Sequence, residues 1–215
     1  IYTIDGSFIR SVKINEGNPY RIIINDSKNE IICRTEGDLV KYFRVYNFNG
    51  DLIGKFGVPL INNKLTSILY HESSICKIND NCFLNIPQRL GVIGVYKDKK
   101  LVRIRETIDG IKNPDIKTRG GKEIVNFDNL LKTGIKPVCY KNKLLLIRIN
   151  YSNNNEKKYL IDVYNKYTLE YLFSFKLENH PSVHTTSIYK DQLVICNFQG
   201  LHFYNLSEIL PKKNY

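Results

Sequence analysis

The chain has 215 residues, 42% of them hydrophobic and 25% charged, which is ordinary for a folded globular protein and enough for one large domain or two small ones. No apolar run approaches the roughly 20 residues that cross a bilayer as a helix; the longest, such as LLLIRI after Lys143, are strand length. The formal net charge of +11 favours polyanion partners such as nucleic acid, acidic lipid or acidic protein, although a chain this rich in Ile, Asn, Lys and Tyr also gathers lysine from A/T-rich codons.

In chain order, the first strand-like segments are IYTID from Ile1 and FIRSVKI from Phe8. RIIINDSKNEIICR from Arg21 reads as two apolar strands about a polar turn, and FRVYNFNGDLIGKFG from Phe43 as two more about Asn49-Gly50. SICKINDNCFLNI from Ser74 and IGVYKDKKLVRIRET from Ile93 repeat the pattern, with KDKK (97–100) as the turn. An insertion at 107–124, TIDGIKNPDIKTRGGKEI, shows no strand pattern, and VNFDNLLKTG after it suits a short helical turn. KPVCYKNKLLLIRI from Lys136, IDVYN from Ile161 and YLFSFKL from Tyr171 form a third unit, with SNNNEKK as a hairpin tip. TSIYKDQLVICN from Thr186 and LHFYN from Leu201 begin a fourth.

The segments IYTID, FRVYN, IGVYK, IDVYN and LHFYN start 42, 50, 68 and 40 residues apart. Each alternates apolar and variable positions, as a half-buried strand does. A four-stranded unit at this period is the signature of a β-propeller, because one such sheet cannot bury both faces until neighbours stack around an axis. The expected fold is therefore all-β, a single propeller domain over 1–215 with four-stranded antiparallel blades, about four to six in number and possibly a partial ring. The chain opens at third and fourth strands and ends at a third strand. That leaves two readings: a segment missing before Ile1, which is favoured, or a smaller ring in which the strand from Phe8 completes the last blade.

With no Trp in the chain, the Trp-Asp dipeptide of WD40 blades is absent, and the only Gly-Gly pair lies in the insertion rather than in kelch positions. The blade NPYRIIIND…EIICR…FRVYNFNGDLIGKFG, from Asn18, resembles instead the NHL-type and TolB-like six-bladed propellers. In these a Pro-led first strand leads to a strand–Asn/Asp-Gly–strand hairpin ending in Phe-Gly. The resemblance covers one blade closely and implies superfamily membership rather than a shared activity.

The five cysteines include no CxxC pair and most sit among apolar neighbours, so they read as small core residues. The four histidines form no metal-binding motif, and Pro181 separates His180 from His184. Some six-bladed propellers hold calcium in the channel with carboxylates. Here the innermost strands offer Arg21, Ser74, Lys136 and Thr185 or Thr186. No catalytic residue, metal or cofactor is expected. Tyr46, Tyr96, Tyr164 and Tyr204 share one repeat position, which suits packing between blades. The glycosylation sequons at Asn25, Asn150 and Asn205 matter only in a glycosylating compartment, and the compartment stays open.

The candidate partner-binding residues are Lys112, Lys117, Arg119 and Lys122, in the inserted loop 109–124. Long loops on a rigid scaffold carry function, and glycines let a backbone approach phosphates closely. The expected function is non-catalytic: a scaffold presenting loops to a macromolecular partner, an acidic protein or a nucleic acid. The alternative is a propeller hydrolase or lactonase, or a small-ligand sensor, using the channel.

Overall fold

A computed structural model describes residues 5–14, 16, 19–35, 41–58, 60, 73–108, 116–125, 135–151, 157–177 and 183–210. Blade 1 is the antiparallel sheet β1 (Pro19–Asn25), β2 (Glu30–Thr35), β3 (Phe43–Asn47) and β4 (Leu52–Phe56). Blade 2 is β5 (Ser73–Asn79), β6 (Cys82–Pro87), β7 (Val92–Lys97) and β8 (Lys100–Glu106). A separate hairpin follows, β9 (Ile116–Arg119) with β10 (Lys122–Val125). Blade 3 is β11 (Ile135–Tyr140), β12 (Lys143–Tyr151), β13 (Lys157–Asn165) and β14 (Tyr171–Leu177). Blade 4 has three strands among the described residues, β15 (Thr185–Tyr189), β16 (Gln192–Asn197) and β17 (Gly200–Asn205), and leads into a single helical turn, α1 (Leu206–Ile209).

The first strands stand next to one another in chain order: β1 beside β5, β5 beside β11, β11 beside β15. Residues of all four line one axial cavity of about 380 Å³. This is a β-propeller of four blades. The chain runs outward through each blade and returns to the axis to begin the next, as the sequence periodicity predicts.

Sandwiching explains the composition of the strands. β2 is buried along its whole length, and β7 at every residue but Lys97. The outer strand β8 alternates half-buried Leu101 and Arg103 with exposed Val102 and Ile104. The seam between blades 1 and 2 holds Ile23, Phe43, Val45, Phe83 and Tyr96. Here Phe83 stacks on Tyr96 with centroids 5.2 Å apart, and Phe43 meets both edge-on. Leu84, Ile93, Leu144 and Leu146 fill the next seam, and Leu145, Ile161, Leu193, Ile195 and Leu206 the third.

One device recurs in every full blade. The third-strand tyrosine faces the preceding blade, and its hydroxyl bonds the backbone of the chain entering its own blade. Tyr46 donates to the Glu16 carbonyl just before β1. Tyr96 bonds the Val58 carbonyl at 3.1 Å, between β4 and β5, and exchanges a 2.7 Å bond with Tyr42. Tyr164 accepts the Ile108 N–H at 3.0 Å, between β8 and β11. All three rings are essentially inaccessible, and burial raises the hydroxyl pKa of Tyr46 and Tyr96.

At the same step each of the three four-stranded blades carries a β-bulge, between Val45 and Tyr46, Val95 and Tyr96, and Val163 and Tyr164. The bulge skips one residue of the fourth strand (Ile53, Val102 or Leu172) and adds local twist. The following asparagine closes the turn in blades 1 and 3. Asn47 Oδ1 accepts the N–H of Asn49 and Asp51, and Asn165 Oδ1 that of Tyr167 and Thr168.

The N-terminal stretch departs from expectation. Residues 5–14 form no strand beyond an isolated bridge at Phe8. They still occupy the place a preceding blade would take, since Val12 and Ile14 pack on Ile31, Cys33 and Tyr46 of blade 1. Gly50 (φ +93) fits this contact closely, because a Cβ there would lie 2.0 Å from the Lys13 carbonyl oxygen. The helical turn expected at 125–134 and most of the tip at 153–158 lie outside the described residues.

Two measurements check these roles. Tyr164→Phe, which leaves the Ile108 N–H without its acceptor, should cost about 1–3 kcal/mol in urea unfolding; an unchanged midpoint contradicts the role assigned to the hydroxyl. Gly50→Ala should release residues 8–16 from blade 1, seen as faster amide exchange in that segment and a loss of about 1–3 kcal/mol.

Candidate functional site

Antiparallel order divides the molecule's connections between two rims. Turns from first to second and third to fourth strand leave one rim, and they are short. Connections from second to third strand and from blade to blade leave the other, and these include every long one.

On the short-turn rim several lysines pair with carboxylates, most of them across a blade boundary. Lys99 Nζ lies 2.6 Å from Glu30 Oε1 and Lys28 3.5 Å from Asp98, each pair joining blades 1 and 2. Lys77 reaches Asp80 at 2.7 Å and the Ile24 carbonyl at 2.8 Å. Tyr140 donates to Asp191 at 2.6 Å, and Lys141 approaches the same carboxylate at 3.3 Å, joining blades 3 and 4. KDKK is a turn here, as its composition predicts, with Asp98 and Lys99 both at positive φ. Asn25 is buried and donates to the Asp80 carbonyl at 2.8 Å, so its sequon is closed in the folded chain.

These contacts hold two carboxyls below the usual aspartate value of 3.8: Asp80 through the hydrogen bond from Lys77, Asp191 through those from Tyr140 and then Lys141. A depressed folded pKa contributes stability above the unfolded value and loses it as pH falls through the folded one. Unfolding midpoints should therefore drop below about pH 4, and Asp191→Asn should shrink that drop; an identical acid profile in the variant contradicts the linkage.

The long-connection rim is different. The insertion, expected to lack strands, contains the β9–β10 hairpin. Its turn is Gly120 (φ +58) and Gly121 (φ +73), two consecutive left-handed positions that a two-residue hairpin turn demands. The strands are only four residues each and rich in polar side chains, too short and polar for alternation to announce them. Lys117 and Arg119, two residues apart on β9, share one face and are exposed. Lys122 is the backbone partner of Arg119. Three of the four residues chosen from sequence thus meet on one hairpin, while Lys112 lies outside the described residues.

Two more cations stand at this end of the axial cavity, where the first strands begin. Burial lowers the pKa of Lys136, and the like charge of Arg21 lowers it further. Lys136 is held at φ +50, and its carbonyl accepts the Thr186 hydroxyl at 2.7 Å. The sequence marks both residues as inner-strand positions but not as a facing pair, since 115 residues separate them.

Phe198, 90% exposed in the β16–β17 turn, is a further surface feature that sequence patterning does not single out. Its ring lies 3.9 Å from that of His184, centroid to centroid. The one available signal is a bulky aromatic between Asn197 and Gln199 in a turn. Among the described residues no group of three or more His, Cys, Asp or Glu is placed to hold a metal ion, and no helix is long and apolar enough to cross a membrane.

No protein-family model and no curated protein matches the chain. Among solved structures it is similar to BamB from Moraxella catarrhalis, at 10% identity and a TM-score of 0.43, over 86% of this chain and 60% of that one. It is also similar to Hsv2 from Kluyvelomyces marxianus, at 10% identity and a TM-score of 0.27, over 93% of this chain and 75% of that one. The chain thus spans 60% of the length of the BamB structure it matches.

Proposed function

We propose that this propeller is a non-catalytic binding platform whose long-connection rim takes an acidic macromolecular surface, a nucleic acid or an acidic protein segment. The observation that carries the reading is the β9–β10 hairpin, whose Gly120-Gly121 turn stands between Arg119 and Lys122, with Lys117 exposed on the same face as Arg119. Lys112 belongs to the same insertion, and Arg21 and Lys136 extend positive charge to the cavity mouth. Phe198 adds an exposed ring of the kind on which bases stack or apolar side chains rest.

The NHL and TolB-like kinship belongs to the same proposal, supported by the one blade that carries the Pro-led strand and the Asn-Gly hairpin. The rival reading, a hydrolase working in the channel, gains no support from the cavity's described lining. That lining consists of isoleucines, Lys77, Pro137, Val138, Thr186, Ser187 and two thiols, with no carboxylate.

A fluorescent single-stranded oligonucleotide and a poly-glutamate peptide, titrated at several salt concentrations, test the proposal. At least one should bind with an affinity that falls steeply with salt. Replacing Lys112, Lys117, Arg119 and Lys122 by Ala should weaken that binding at least about tenfold. With the oligonucleotide, the salt slope should flatten by about 0.7 for each phosphate that is no longer neutralised. Replacing Lys97 and Lys100 on the opposite rim should leave binding unchanged. Equal effects from the two rims, or none from either, contradict the assignment.

A further inference from the structure

Cys76 on β5 and Cys139 on β11 stand on the innermost strands of adjacent blades, which pack side by side. Both line the axial cavity, and both belong to the apolar seam between blades 2 and 3. Each thiol shifts the titration of the other, Cys139 raising the pKa of Cys76 and Cys76 lowering that of Cys139. Of the remaining thiols, Cys82 at the start of β6 packs against the same seam but does not line the cavity, Cys33 is buried in blade 1 against Val12 and Ile14, and Cys196 is on β16. All five are free.

From this placement we propose that Cys76 and Cys139 are a reversible dithiol–disulfide pair that locks blade 2 to blade 3 and is reached through the axial cavity. The two sulfurs are unequal in a way that suits exchange. The neighbouring Cys76 thiol favours the Cys139 thiolate and lowers its pKa, with the charge of Lys166 adding to the effect. Cys139 in turn, together with burial, raises that of Cys76. Cys139, half-buried where Cys76 is buried, is the more accessible of the two. Its thiolate is therefore the attacking group.

With a low-molecular-weight disulfide as oxidant, the steps balance. Cys139 thiolate attacks one sulfur of the oxidant, breaks its S–S bond, forms a mixed disulfide and expels one thiolate. Cys76 then loses its proton and attacks Cys139 Sγ, expelling the second thiolate. Net, two cysteine thiols are oxidised to one protein disulfide while one oxidant is reduced to two thiols. The closing step joins two sulfurs on side-by-side inner strands in a bond of about 2.05 Å. Buried Cys33, whose pKa is pushed up to about 12, takes no part.

The native chain is incubated with oxidised glutathione, quenched in acid, alkylated in denaturant and weighed intact. The expected product has lost two hydrogens and carries three alkyl groups where the reduced chain, with its five free thiols, carries five. A cross-linked peptide pair should contain Cys76 and Cys139. Thermal unfolding of the oxidised form should shift upward and return after dithiothreitol. Cys76→Ser should stop at one glutathione held on Cys139, and Cys139→Ser should give neither adduct nor bond. Five alkylated thiols after oxidation, or a cross-link through Cys82 or Cys196, overturns the proposal. The unmutated chain decides this by itself, so a poorly folding variant does not blunt the test.

Discussion

The buried third-strand tyrosine is the contact on which the architecture turns. A propeller is built from sheets that cannot stand alone, so each blade must be fixed to the one before it. Tyr96 and Tyr164 do this twice over. The ring fills the seam with the preceding blade, and the hydroxyl bonds the backbone that arrives from it. Tyr46 does the same against Val12, Ile14 and Glu16, which stand where a preceding blade would be. In blade 3 a bare apolar ring would leave the entering Ile108 N–H without this acceptor in a dry seam, at a cost comparable to the hydrogen bond itself. The repeated bulge at the Val–Tyr step gives the fourth strand its extra twist at the same point.

The two rims differ in their connections. One holds the short turns and several inter-blade ion pairs. Such exposed pairs contribute little stability each. The other rim receives every long connection and carries the basic hairpin, the cavity-mouth cations and an exposed phenylalanine. Cations concentrated on one side of a rigid body steer polyanions to that side.

The propeller is legible in the sequence because strand burial writes itself as alternation and because the third-strand Val-Tyr recurs with a turn after it. In blade 1 each residue of Val-Tyr-Asn has a separate job: Val45 in the seam, Tyr46 on the entering backbone, Asn47 in the turn. Periodicity brackets the blade number without fixing it, since the segment from Phe8 repeats the fourth-strand pattern yet packs on blade 1 without forming a strand. The β9–β10 hairpin carries no such signal, because polar and charged residues rather than apolar ones flank its turn. Partners such as Lys99 and Glu30, 69 residues apart, and Cys76 and Cys139 depend on how blades sit side by side, which local periodicity does not encode.

The most direct measurement of the central claim, that the two rims divide structural from binding duty, is a hydrogen-exchange footprint of the chain with a saturating acidic ligand. Exchange should slow in β9 and β10, at the starts of β1 and β11 and around Phe198, with the short turns at Asp98 and Asp191 unaltered. Protection confined to those short turns, or spread evenly over both rims, would contradict the claim.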